Sequence, residues 1–228
     1  PDAVIHAAAW TDVDAGARQP DLAMRRNADA TTALARACAR RGIDLVLIST
    51  NEVFDGIRTD GRGYGPDDEP APGNPYGASK LAGERGAIEA FVGSGARVAI
   101  VRTAWLFGPP GGDFPDRILD AAARAMAAYA PLRLVADEIG NPTYAPDLAD
   151  AIVTLVGTRA SGIHHVVNGG SVSRAGWARA ILDAAGTVVA TEDVPGSTWT
   201  RASAPPPRAT LAATSLPGGT PLRSWTAA

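Results

Sequence analysis

Tyr76 and Lys80 stand four residues apart in the stretch Asn74-Pro75-Tyr76-Gly77-Ala78-Ser79-Lys80-Leu81-Ala82-Gly83-Glu84. On a helix that spacing puts both side chains on one face, about one turn from each other. A phenol titrates near ~10 in water, too high for easy proton transfer at neutral pH. An ammonium roughly 4 Å away, at an effective dielectric of about 20, is worth about 4 kcal/mol, enough to lower that pKa by up to ~3 units. The pair thus has the chemistry of a general acid/base near pH 7. Tyr-x-x-x-Lys also recurs by chance on ordinary amphipathic helices, so the reading depends on the residues around it.

The helix carrying the pair opens at Asn74-Pro75, since proline fits a first turn and the residue before it is pushed out of helical backbone. Residues 3–9 (Ala-Val-Ile-His-Ala-Ala-Ala) and 43–49 (Ile-Asp-Leu-Val-Leu-Ile-Ser) are apolar runs of the kind expected in buried parallel strands. Between them, residues 20–41 carry Ala, Leu and Met at helical spacing, with Gly42 as the stop. Residues 50–74 form a long loop rich in Gly, Asp and Pro, and a loop of that length in a compact domain is more often functional than idle. The Tyr76 helix is expected to run to about residue 93, and residues 97–103 give a third strand. Strand, helix, strand, helix, strand predicts a parallel α/β sheet with right-handed crossovers.

Past Trp105 the pattern changes. A Gly/Pro loop spans 108–112, helices are predicted over 114–130, 147–156 and 174–185, and strands over 132–135 and 163–167. From Pro195 the tail, with Pro205-Pro206-Pro207 and Pro217-Gly218-Gly219, reads as irregular. A soft boundary near residue 107 separates a sheet-bearing part, 1–107, from a smaller substrate-side lobe, 108–228.

Bulk properties narrow the function. With 46% hydrophobic and 20% charged residues the 228-residue chain can build a core. A net charge of -3, with the 21 basic residues scattered, argues against nucleic acid and anionic membrane as partners. No apolar run approaches the length of a membrane span and no signal peptide opens the chain, so a cytoplasmic enzyme is expected. Cys38, the single cysteine, reads as a small buried hydrophobe. His6, His164 and His165 lack acidic or cysteine partners at metal-ligand spacing and read as structural.

Ligands of open α/β sheets bind beyond the carboxyl ends of the strands. Here those ends read Ala7-Ala8-Ala9-Trp10-Thr11, Ser49-Thr50-Asn51-Glu52 and Thr103-Ala104-Trp105. Small residues at the first would let a flat or phosphate-bearing ligand reach the backbone. A hydroxyl at the second, facing Tyr76, would give one substrate carbonyl two donors, as hydride reduction requires.

With these pieces in this order the sequence resembles the extended short-chain dehydrogenase/reductases, and among them the dTDP-4-dehydrorhamnose reductase family. The similarity lies in 1–14, in Ser49-Thr50-Asn51-Glu52-Val53-Phe54-Asp55-Gly56, in the Tyr76/Lys80 stretch, in Arg102-Thr103-Ala104-Trp105-Leu106-Phe107-Gly108 and in Gly140-Asn141-Pro142-Thr143. The resemblance implies NADPH-dependent reduction of a dTDP-4-keto-6-deoxysugar to dTDP-L-rhamnose. Tyr76 would protonate the keto oxygen, Lys80 would lower its pKa and hold the nicotinamide ribose, and Thr50 would orient the carbonyl. Ala9, Trp10 and Thr11, with Tyr76 and Lys80, would line the cofactor; Thr50, Asn51 and Trp105 would face the sugar nucleotide. A homodimer is implied as well, and in this family dimerisation is associated with magnesium, whose ligands are not matched in this sequence.

Three departures stand out. The family pattern at the second strand end reads Ser-Thr-Asp-Tyr, where this chain has Asn51 and Glu52. No Gly-x-x-Gly-x-x-Gly turn precedes the first strand, so the expected fold is a partial Rossmann-like parallel sheet lacking its first βαβ units, as in an N-terminally truncated reductase, with an unpaired edge at residues 3–9. Pro205-Pro206-Pro207-Arg208 replaces a more Arg-rich stretch of the family. A non-catalytic relative serving as a binding or regulatory subunit is one competing reading. Another is a sugar-nucleotide epimerase or dehydratase, against which Val53-Phe54-Asp55-Gly56 speaks.

Overall fold

The computed structural model describes residues 1–217 and 221–228, so the two glycines of Pro217-Gly218-Gly219 lie outside the described residues. In chain order the chain forms β1 (Ala3–His6), α1 (Val13–Arg18), α2 (Pro20–Ala23), a π-helical segment Met24–Asp29, α3 (Ala30–Arg40), β2 (Asp44–Thr50), a 3₁₀ turn Asn51–Val53, α4 (Pro75–Phe91) and β3 (Val98–Thr103). There follow β4 (Leu106–Phe107), α5 (Phe114–Ala127), β5 (Leu132–Val135), β6 (Ile139–Gly140), β7 (Thr143–Tyr144), α6 (Ala145–Gly157), β8 (Gly162–His165), β9 (Val172–Ser173), α7 (Arg174–Ala184) and β10 (Thr191–Val194).

The main sheet has four strands in the order β1-β2-β3-β8, all parallel. Its fourth strand comes from beyond residue 107, so the sheet draws on both parts of the chain. Alternation along the central strands sorts their side chains onto two faces. Leu45, Leu47 and Ile100 pack with Ala35, Cys38, Ala87 and Phe91 of α3 and α4, while Val46, Ala99 and Val101 pack with Leu148, Ile152 and Leu155 of α6. Each fully buried Leu or Ile contributes about 1.5–3 kcal/mol relative to exposure. Cys38 is one of these core side chains, and burial pushes its thiol up from the ordinary value.

β1 is shorter than the apolar run that predicts it. It ends at His6 and lies at the sheet edge, with Ile5 49% exposed. The predicted helix over 20–41 is continuous to Arg40 but passes through the π-helical segment, where Asn27 is buried. Gly42, at φ +66°, ends it, with Gly42 N donating to Ala39 O and Ile43 N to Cys38 O, a two-bond Schellman closure.

The remaining elements build a second layer. β5 and β10 pair in parallel, and α5 and α7 cover β5 through Ile118, Leu132, Leu134, Ala178 and Leu182. The stretch after Pro195 has little regular structure, yet it is part of the core. Ala209 and Leu211 are buried with Val53, Phe54 and Tyr64. Tyr64 and Leu211 form a β-bridge, and Asn141 Oδ1 accepts from Leu211 N.

Candidate active site

Helix α4 carries the reactive pair, and its start is fixed by Asn74. The Asn74 Oδ1 accepts from Gly77 N at 2.8 Å as an N-cap, Pro75 occupies the first turn, and Asn74 Nδ2 donates to Glu52 Oε2 at 2.7 Å. Gly77 is required here: a Cβ at this position would collide with the carbonyl oxygen of Glu52. That close approach sets the 3₁₀ turn after β2 directly against the first turn of α4.

A cavity of about 360 Å³ opens beyond the strand ends, lined by Ala9, Thr11, Thr50, Asn51, Tyr76, Lys80, Thr103 and Trp105, and also by Glu52 and Arg174. All but one of the residues expected at the site therefore meet. The exception is Trp10, which is absent from the lining. Its backbone is held by Asn27, N to Oδ1 at 2.8 Å and Nδ2 to O at 3.1 Å, and its ring lies under the Arg26 guanidinium. Asn27 also donates to Ser79 Oγ, tying the π-helical segment to α4. Such segments gather at functional sites, but Asn27 sits in a helical apolar pattern that gives no sign of this role.

The protonation chemistry differs from the expectation. Lys80 is buried and donates its Nζ to Ile48 O at 2.8 Å; burial lowers its pKa to about 8, with Glu84 holding it up. The Tyr76 phenol is pushed up to about 12, by burial and then by the Glu52 carboxyl, against the pull of the Thr50 hydroxyl. The lowering expected of Lys80 is thus not present in this state: burial dominates, the Glu52 carboxyl adds to it, and the Lys80 ammonium is held by a strand carbonyl. Tyr76 is accordingly a protonated donor at neutral pH. Glu52 is itself raised above the usual carboxylate range by burial, partly offset by Asn74, Arg201 and Arg174.

Asn51 is buried with Nδ2 on Ala209 O and Oδ1 accepting from Thr50 Oγ1. Trp105 takes a left-handed backbone, φ 44°, sparsely populated for a bulky residue. Arg174 lies 3.6 Å over its ring and Trp177 stacks on it at 5.6 Å. Arg174, paired with Glu138 and lowered to about 10 by burial, also borders a second cavity of about 740 Å³ with Phe114, Arg117, Arg133, Trp177 and Arg201. Sequence reasoning did not single out Glu52, Arg174 or this second cavity as parts of the site.

His6 bonds Thr31 Oγ1; His164 bonds Ser161 O; His165 is buried, with Nδ1 on Tyr64 O and its pKa lowered to about 4 by burial and Arg102. Among the described residues of the single chain, no group of three or more His, Cys, Asp or Glu could hold a metal ion.

Over residues 1–228 the sequence matches the family described as the RmlD substrate binding domain. The chain belongs to this family. It is 39% identical over 237 aligned positions to the dTDP-4-dehydrorhamnose reductase of Mycobacterium tuberculosis, a match covering 100% of this chain and 74% of that protein. The fold superposes, with a TM-score of 0.89 and 36% identity, on the crystal structure of dTDP-4-dehydrorhamnose reductase from Bacillus anthracis in complex with NADP, covering 100% of this chain and 78% of that one. For the family member from Clostridium acetobutylicum the TM-score is 0.91 at 30% identity, with the same coverage of 100% and 78%. The family is one of oxidoreductases with a Rossmann-like parallel sheet, as the sequence motifs imply. No described helix is long and apolar enough to cross a membrane.

Proposed function

We propose that this chain reduces the 4-keto group of dTDP-4-dehydrorhamnose to give dTDP-L-rhamnose, with NADPH as reductant. The observation that carries the reading is the convergence of Tyr76, Thr50 and Lys80 on one cavity beyond the ends of β1, β2 and β3. The cavity suits the nicotinamide end of the cofactor. Ala9 and Thr11 keep its wall low. When bound, NADPH supplies the hydride. Tyr76 would give its proton to the carbonyl oxygen, Thr50 would turn its hydroxyl from Asn51 Oδ1 to donate to the same oxygen, and Lys80 would hold the nicotinamide ribose. Trp105 and Arg174 face the sugar nucleotide, whose dTDP portion extends into the larger cavity.

On this reading residues 1–107 are the cofactor side and 108–228 the substrate side. The reaction runs in the cytoplasm, on a homodimer, with no nucleic acid partner. Burial, and after it the Glu52 carboxyl, hold the Tyr76 phenol near 12, so it stays protonated across the assay range. Purified protein is mixed with NADPH and dTDP-4-dehydrorhamnose, and loss of reduced cofactor is followed. Tyr76→Phe is expected to lower kcat by about 10²–10⁴-fold while leaving the melting transition near that of the parent. A Tyr76→Phe protein that reduces as fast as the parent overturns the assignment. Sedimentation at assay concentration tests the dimer.

A further inference from the structure

The second strand end departs from the family pattern at Glu52, and the structure gives that departure a consequence. Glu52 follows Thr50 by two residues, with Thr50 Oγ1 accepting from Glu52 N at 3.2 Å, so its position is tied to the hydroxyl that meets the carbonyl. One carboxyl oxygen, Oε2, is anchored by Asn74 Nδ2 at 2.7 Å. The other, Oε1, has no hydrogen-bond partner among the described residues, although Glu52 lines the cavity with Thr50, Tyr76 and Arg174. A carboxyl that lines a ligand cavity, acts electrostatically on the Tyr76 phenol and has one oxygen without a partner is a strong, directional acceptor.

We propose that Glu52 is a specificity-determining residue whose Oε1 accepts a hydrogen bond from the sugar hydroxyl adjacent to the carbonyl that Tyr76 and Thr50 engage. The inference rests on the reductase reading. An α-hydroxyketone places its hydroxyl oxygen beside its carbonyl oxygen, so a carboxyl beside the phenol is within reach of that hydroxyl when the sugar sits with its hydroxyl-bearing carbon toward position 52. An aromatic residue at position 52 would offer a ring there and no carboxylate. A site built to pair with a hydroxyl discriminates against the analogue lacking it, because the acceptor is then buried unpaired. The chain is accordingly selective for 4-keto sugars with a free neighbouring hydroxyl over the corresponding deoxy sugars.

The test compares the parent with Glu52→Gln on two substrates, dTDP-4-dehydrorhamnose and its analogue deoxygenated next to the carbonyl. Gln keeps an oxygen for Asn74 and turns an amide, a donor, toward the cavity. On the hydroxylated substrate, Glu52→Gln is expected to lower kcat/KM about 10- to 100-fold, mostly through KM. On the deoxy analogue the two proteins are expected to agree within about twofold. Product binding, followed by calorimetry with dTDP-L-rhamnose, should weaken by the same 10- to 100-fold factor in the variant. Equal losses on both substrates, or unchanged kcat/KM and product binding on the hydroxylated one, overturn the role of Glu52 and leave the reductase reading standing. A parent protein that reduces neither substrate overturns that reading and this inference with it. Glu52→Asp, whose shorter carboxyl cannot both reach Asn74 and fill the same space, is expected to recover only part of the selectivity; full loss in Glu52→Asp with an intact fold agrees with a distance-dependent contact, and full retention overturns it.

Discussion

Two ionisable clusters sit on one stripe of α4, and they are finished in opposite ways. Tyr76, Lys80 and Glu84 follow each other at intervals of four residues. At the far end Glu84 is fully committed: Ser49 Oγ donates to Oε1, and Arg102 closes a fork with Nε at 3.1 Å from Oε1 and Nη2 at 2.7 Å from Oε2. Arg102 also lies over the Phe54 ring and approaches His165 at 3.5 Å. At the near end Tyr76, Lys80 and Glu52 are only partly partnered, and their protonation is displaced from the ordinary values by burial. A buried charge without full pairing is costly, and the molecule tolerates that cost at the mouth of a cavity while avoiding it 6 Å or so, about one helical turn, further in. The closed pair holds β2, β3 and α4 in register so that the open cluster can be left open.

The sharpest way to break this contrast is to open the closed end. Arg102→Leu leaves Glu84 buried without its counter-ion and is expected to cost about 3–5 kcal/mol in unfolding free energy. Denaturant midpoints at unchanged slope measure it. Tyr76→Phe at the open end should move the midpoint little while removing turnover. Pairing Arg102→Leu with Glu84→Leu should restore much of the loss, since a well-packed apolar replacement of a buried ion pair is often close to neutral. If the single and double variants are equally unstable, packing around Arg102, and not its charge, holds this end together.

A second way is to push the two elements of the open end apart. Gly77→Ala places a methyl against the Glu52 carbonyl, backbone against backbone, where neither side yields easily. The expected cost is on the order of 1–3 kcal/mol, with a fall in kcat as Thr50 and Tyr76 separate. Gly73, whose added Cβ would meet nothing within 4 Å, is the control. Gly73→Ala should stay within about 0.5 kcal/mol of the parent.

What the sequence made legible follows the same division. Elements signalled by local chemistry were readable. The apolar run at 43–49 became β2, Asn74-Pro75 became the cap and first turn of α4, and Gly42 became a helix stop with positive φ. Features made by distant approach were not. Glu52, Glu138 and Arg174 are separated by long stretches of chain and meet only through folding, and nothing in the spacing of any one of them signals the others. β10 escaped because Thr-Glu-Asp-Val is polar and half-exposed, with only Val194 buried. The π-helical segment escaped because it barely disturbs the recurrence of apolar residues. The irregular tail was rightly read as irregular in backbone, yet its buried Ala209 and Leu211 belong to the same core as Phe54.

The smallest expected effect sharpens the comparison by titration. Burial holds Lys80 at about 8, below its ordinary 10.5. Below pH 8 both folded and unfolded chains carry the proton and the burial penalty is constant. Between about pH 8 and 10 the unfolded chain binds more protons at Lys80 than the folded one, so stability rises with pH, by up to about 1.4 kcal/mol per pH unit. Tyr76 works in the opposite sense. Between its ordinary 10.0 and about 12 the folded chain keeps a proton that the unfolded chain has lost, so stability falls there. The interval from 8 to 10 therefore belongs to Lys80, and other groups titrating in it cancel when the parent is compared with Lys80→Met. The difference in unfolding free energy between the two should slope across that interval and flatten below it. Glu84→Gln removes the carboxyl that holds the Lys80 pKa up, so in that background the slope should begin at lower pH. A slope unmoved by Glu84→Gln would mean that the closed and open ends of the stripe are electrostatically independent, and that the ion pair steadies the helix without tuning its lysine.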